Sequence, residues 1–108
     1  MDQNTLLKIS LQRALVGTLI DSIVGVTARI QDSLITVIIY FNCDISDVEE
    51  ELTGEITTEV VADFPNTKII ERAVSVTKEQ MVALDFWAIL RAGYKPVYPG
   101  YQTERKSD

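Results

Sequence analysis

Glu59 and Asp63 stand four residues apart, a spacing that puts two carboxylates on one face of a helix. Such a pair is the starting point for general acid–base work or for holding a hard cation. The rest of what that chemistry needs is missing. The chain has no histidine, which removes the commonest general base, the commonest metal ligand and every Ser/His/Asp or Cys/His mechanism. No further acid follows at ligand spacing, and no Gly-rich loop offers a phosphate cradle. Glu59 and Asp63 are therefore read as structural, and an ion pair with Arg13 or Arg72 is the simplest use for them. Cys43 lies between the end of a strand and the start of a helix, where a helix dipole activates thiols. With no base to take its proton, it reads as a small buried hydrophobe.

The distinctive chemistry is charge. Between Arg29 and Lys68 the chain carries nine acids, Asp32 through Asp63, and not one base. On a helix anchored at Val48, the side chains of Asp47, Glu50, Glu51 and Glu55 fall away from the apolar stripe and make a solvated negative face. A face of one sign serves solubility. It also suits docking on a basic surface, such as the cleft of a nucleic-acid-cleaving protein, where complementary charge speeds association and selects the partner. A second group, Trp87, Tyr94, Tyr98 and Tyr101, falls late in the chain beside Pro96, Pro99 and Gly100. These aromatics read either as partner anchors or as a loop capping the sheet edge.

The elements that must position these residues are legible from periodicity. Residues 4 to 16 read as a helix, with Leu7, Leu11, Ala14 and Leu15 on one face, Asn4 or Thr5 as cap and Gly17 as stop. Leu6 and Ile9 fall on another face, available to a partner or a second copy. From Ile23 to Gln31 the pattern alternates, with Val24, Val26, Ala28 and Ile30 on one side and Gly25, Thr27, Arg29 and Gln31 on the other. Asp32 and Ser33 turn the chain into Leu34 to Phe41, an apolar run suited to a strand covered on both faces.

Ser46 with Glu49 three residues later is a capping box, and Asp47 adds charge where the dipole favours it. Val48, Leu52, Ile56 and Val60 mark the expected buried stripe, and Pro65 stops the helix near Phe64. Residues 67 to 76 alternate again, with Ile70, Val74 and Val76 set against Lys68 and Arg72. Phe86 to Arg91 makes a last strand. The order α-β-β-α-β-β predicts an α+β two-layer sandwich, with about four strands in a mainly antiparallel sheet and two helices on one face. Residues 1–99 are expected to form a single α+β domain, and 100–108 a polar, flexible C-terminal tail.

Composition sets the outer bounds. The chain has 108 residues, 46% hydrophobic and 24% charged, which suits one domain. Its net charge of −6 argues against general binding to nucleic acid or an anionic membrane. A single cysteine fits a reducing compartment, the N-terminus Met1-Asp2-Gln3-Asn4 does not resemble a secretory leader, and no apolar stretch approaches the ~20 residues that span a bilayer. A cytoplasmic protein without a cofactor is expected.

The stretch Lys8-Ile9-Ser10-Leu11-Gln12-Arg13-Ala14-Leu15-Val16-Gly17, with Tyr40-Phe41, Asp44-Ile45-Ser46 and Thr58-Glu59-Val60-Val61-Ala62-Asp63-Phe64-Pro65, resembles small bacterial immunity proteins of contact-dependent growth inhibition and colicin-like systems. The resemblance covers roughly residues 8 to 91. Relatives place a glycine near Cys43 and end soon after the last strand, so Gly93 to Asp108 is an extension here. The resemblance implies a non-enzymatic protein that binds a cognate toxin C-terminal domain and blocks it. Under it, Gln12, Arg13, Glu59 and Asp63 are structural, together with the cap Ser46. The expected partner surface is Asp47, Glu50, Glu51 and Glu55, with Trp87, Tyr94 and Tyr98. The alternative is a self-associating structural or regulatory module, a homodimer through the first helix.

Overall fold

The computed structural model describes residues 1–18 and 20–99. The expected tail, 100–108, and Tyr101 within it lie outside the described residues.

Six elements follow the expected order: α1 (Gln3–Val16), β1 (Ile23–Gln31), β2 (Leu34–Phe41), α2 (Asp47–Ala62), β3 (Lys68–Ser75) and β4 (Phe86–Leu90). The first helix starts a residue early. Asp2, and not Asn4 or Thr5, is its cap, with the Asp2 carboxylate accepting from the Thr5 amide at 2.7 Å. That hydrogen bond holds the Asp2 carboxyl below the usual aspartate range. Leu7, Leu11, Ala14 and Leu15 are buried, while Leu6 and Ile9 are exposed, as the spacing requires.

Asp32 and Ser33 both adopt positive φ, 53° and 62°, the two-residue turn whose twist matches paired strands. They close β1 and β2 into an antiparallel hairpin with Gln31 opposite Leu34. The sheet order is β3-β2-β1-β4. It is mixed and not mainly antiparallel: β4 runs antiparallel to β1, whereas β3 runs parallel to β2. The reason is the length of α2, 16 residues, which carries the chain back to the end of the sheet where β2 began, so that only a parallel strand can follow.

Helices α1 and α2 cover one face, with α1 over β1 and β4 and α2 over β2 and β3. Val26, Ala28 and Ile30 meet Ile35, Val37, Ile39 and Phe41 there, against Leu7, Leu11, Ile56 and Val60. Each such side chain contributes roughly 1.5–3 kcal/mol by leaving water.

Three expected face assignments change. Val24 turns to the opposite face because a bulge interrupts the β1–β2 register between Ile23 and Gly25. In α2 the buried positions are Thr53, Ile56, Thr57 and Val60, while Val48 is 64% exposed and Leu52 only half-buried. Threonine suits this face at Thr57, whose hydroxyl bonds to the Thr53 carbonyl and to Glu71 of β3, while the buried Thr53 hydroxyl has no protein partner among the described residues. In β3, Lys68 and Arg72 share a face with Ile70 and Val74, since Ile69 and Ala73 are the residues that pack under the helices.

The second face is half covered by the chain between β3 and β4 and by the segment after β4. Val24, Ile38, Tyr40, Val74 and Met81 form a second core there, joined by Leu84, Trp87, Leu90 and Tyr94. One side chain and one backbone pairing pin the crossing segment. Thr27 accepts from the Leu84 amide and donates to the Phe86 carbonyl, both at 2.8 Å. Val97 pairs with the same segment, accepting from the Ala83 amide and donating to the Met81 carbonyl, again at 2.8 Å.

Candidate functional site

Asp63 ends α2, where a carboxylate faces the negative pole of the helix dipole. Two groups of α1 offset this: the Ser10 hydroxyl donates to Asp63 Oδ2 at 2.7 Å, and Arg13 Nη1 donates to the same oxygen at 3.3 Å. Of the two arginines expected as partners, Arg13 therefore takes Asp63; Arg72 pairs with Glu79 at 3.1 Å. The Arg13–Asp63 pair is solvent-exposed and ties the two helices together at about 0–1 kcal/mol.

Glu59 lines a small depression between the helices with Asp63, Ser10 and Arg13, but only Asp63 takes the hydrogen bonds of Ser10 and Arg13. Glu59 is exposed and also lines a shallow, open depression with Glu51, Gly54, Glu55 and Thr58. Asp47, Glu51, Glu55 and Glu59 follow one another at four-residue steps, a single row running about 18 Å along α2. Glu50 is exposed beside Glu51. Among the described residues none of Asp47, Glu50, Glu51, Glu55 and Glu59 has an ion-pair partner. Neighbouring acids at this spacing repel by about 0.2–0.5 kcal/mol per pair, so the row is a cost to the helix that bears it. With Thr53 and Thr57 and not Val48 marking the buried face, Glu59 falls in the row.

The start of α2 is built as expected. Glu49 accepts from the Ser46 amide at 2.8 Å and from the Ser46 hydroxyl at 2.5 Å, and these bonds hold its carboxyl below the usual glutamate range. The same carboxylate accepts from Cys43 Sγ at 3.5 Å. Burial, then the bond and charge of Glu49, push the Cys43 thiol up, the opposite of what a nucleophile requires.

The aromatics separate. Trp87 lies in the second core, its ring 6.1 Å from that of Tyr40 with its indole nitrogen buried, and Tyr94 packs against the same cluster. Both are partly buried against this core, because the segment around them closes over the sheet face opposite the helices. Tyr98 is 46% exposed, on a segment that the sheet separates from the acidic row.

Among the described residues no group of His, Cys, Asp and Glu is placed to hold a metal ion, and no helix is long and apolar enough to cross a membrane. What the helix layer presents is a line of carboxylates without ion-pair partners among the described residues, on a helix closed by a capping box.

No curated protein matches the chain. Residues 4–92 match the model of the family described as MafI2 immunity protein, which spans both helices and all four strands. The match carries the immunity-protein part of the expected resemblance, under a family distinct from contact-dependent growth inhibition and colicin-like systems. The chain belongs to the MafI2 immunity protein family, and its partner is accordingly a cognate toxin.

Proposed function

We propose that the protein neutralises its toxin without catalysis, in the cytoplasm, by laying the acidic row of α2 over a basic substrate-binding site, that of a nuclease. The observation that carries this reading is the row Asp47, Glu51, Glu55 and Glu59 on a stretch with no base from residue 30 to 67. A phosphate-binding cleft is lined by cations, and a line of carboxylates is the complement that excludes the substrate. The toxin domain encoded beside the gene is the reagent for the test. Binding that weakens steeply with salt, with loss of nucleic-acid cleavage on titration, is the expected result. Absence of binding at low salt would overturn the reading, and salt-insensitive binding would remove the acidic row from it.

A second reading rests on Leu6 and Ile9, 44% and 40% exposed, which line a groove between the helices with Ser10, Arg13, Asp63 and Phe64. A homodimer through α1 would cover them. Sedimentation of the protein alone separates the readings: a monomer at tens of micromolar removes the dimer.

A further inference from the structure

The crossing segment covers only one half of the sheet face opposite the helices. The half nearest the β1–β2 turn is bare: Leu34 is 36% exposed, Ile70 is 51% exposed, and Thr36 is half-exposed between Arg29 and Ile70. The register builds the patch in rows. Gln31, Leu34 and Lys68 lie side by side across β1, β2 and β3, then Arg29, Thr36 and Ile70, then Thr27, Ile38 and Arg72. Three cations thus surround an apolar centre. No acid occupies any position on this face of the three strands, in a chain whose net charge is −6. Among the described residues acids adjoin at the rim: Asp32 in the turn, Glu79, which is engaged with Arg72, and Asp85, whose amide bonds to the Ala28 carbonyl beside Arg29 and whose carboxylate accepts from Asn4 of α1.

Guarding the edge strand against aggregation accounts for Lys68 and Arg72 on β3. It does not account for the exposed apolar centre, Leu34 and Ile70, that these cations share with Arg29, which stands on β1 just past its pairing with β4 at Ala28. A second copy packed face to face would set cations against cations. A nucleic acid would bring its phosphates into the field of a chain whose net charge is −6. The occupant that fits is an acidic protein segment with apolar side chains seated on Leu34 and Ile70.

We propose that this open half-face is a second docking surface, for an acidic segment of the toxin polypeptide, so that the toxin grips the β3 edge with a basic site against α2 and an acidic segment against the sheet. The proposal rests on the toxin-binding reading above. The test uses the full chain, the toxin domain encoded beside the gene, and two sets of variants. The double variant Arg29→Glu/Lys68→Glu is expected to weaken toxin binding by about tenfold or more, and Arg29→Lys/Lys68→Arg to keep wild-type affinity. Arg29→Gln/Lys68→Gln gives a smaller loss and serves if the reversal lowers the melting temperature. Unchanged affinity in the charge-reversal variant, alongside weakened binding by Glu51→Gln/Glu55→Gln, overturns the second surface and leaves the acidic row standing. No binding by the wild type overturns both. A duplex DNA or RNA that binds the wild type and not the Arg29/Lys68 variant also overturns the proposal.

Discussion

The Tyr40 hydroxyl accepts from the Val82 amide at 2.9 Å and donates to the Val82 carbonyl at 3.2 Å. One side chain of β2 thereby satisfies both backbone groups of a residue that lies outside the four strands. Without it the crossing segment would cover the second core with an orphaned amide and carbonyl, each costly when buried. Tyr40→Phe keeps the ring against Trp87 and removes only the hydroxyl. It is expected to destabilise the protein by about 1–3 kcal/mol in urea denaturation, with the Val82 amide exchanging faster than those of β1. An unchanged midpoint would show that water replaces the hydroxyl.

This contact also marks where sequence reading stops. The two helices, the hairpin and the capping box are legible because each is a local pattern: Leu7, Leu11 and Leu15 at helical spacing, Asp32-Ser33 between two apolar runs, Ser46 with Glu49. The parallel pairing of β3, and the return of residues 76–85 over Tyr40 and Thr27, depend on contacts between residues more than thirty positions apart, and no local pattern encodes them. Thr53 and Thr57 mislead for a different reason. A threonine reads as surface unless its hydroxyl has a backbone partner; the Thr53 carbonyl that serves Thr57 becomes one only once the helix has formed, and Thr53 is buried with its own hydroxyl unpartnered among the described residues. The acidic row was legible as a charge run; its alignment, including Glu59, needed the true buried face.

Gly25 is required by a close approach. A Cβ there would stand 2.7 Å from Met81 Cε and 2.9 Å from the Trp87 ring. The methionine end can move, but the indole is held between Tyr40 and the sheet. Gly25→Ala is expected to cost about 1–3 kcal/mol through overpacking and to change Trp87 fluorescence in the folded state. Met81→Ala in the same chain should recover part of the loss, a coupling that a double-mutant cycle measures.

Glu49 links the cap of α2 to the state of Cys43. Its carboxyl titrates lower in the folded chain than in the unfolded chain, so its contribution to stability is present at neutral pH and above the unfolded value. That contribution is lost as pH falls through the folded value. NMR titration should give Glu49 a midpoint below that of a glutamate in an unstructured peptide, and Ser46→Ala should return it to the ordinary range while costing about 1 kcal/mol. Because burial and the Glu49 charge both favour the protonated thiol, Cys43 should alkylate more slowly than free cysteine at neutral pH. Glu49→Gln should speed it, and a rate unchanged in that variant would remove Glu49 as a cause.

The acidic row makes opposite demands on stability and binding, and Glu55 sits at its centre. Glu55→Lys replaces repulsion with attraction toward Glu51 on one side and Glu59 on the other, at the spacing where a helix pair contributes roughly 0.2–0.5 kcal/mol. The variant should therefore melt at a slightly higher temperature than the wild type. If the row is what meets the toxin, the same change sets a cation against a basic site, and affinity should fall by about tenfold or more at low salt, with a shallower salt dependence. A protein selected only to fold would gain from this substitution. Stability that rises while toxin binding stays intact would assign the row to solubility alone, whereas a more stable protein that no longer binds would show that the repulsion along α2 is retained for the partner.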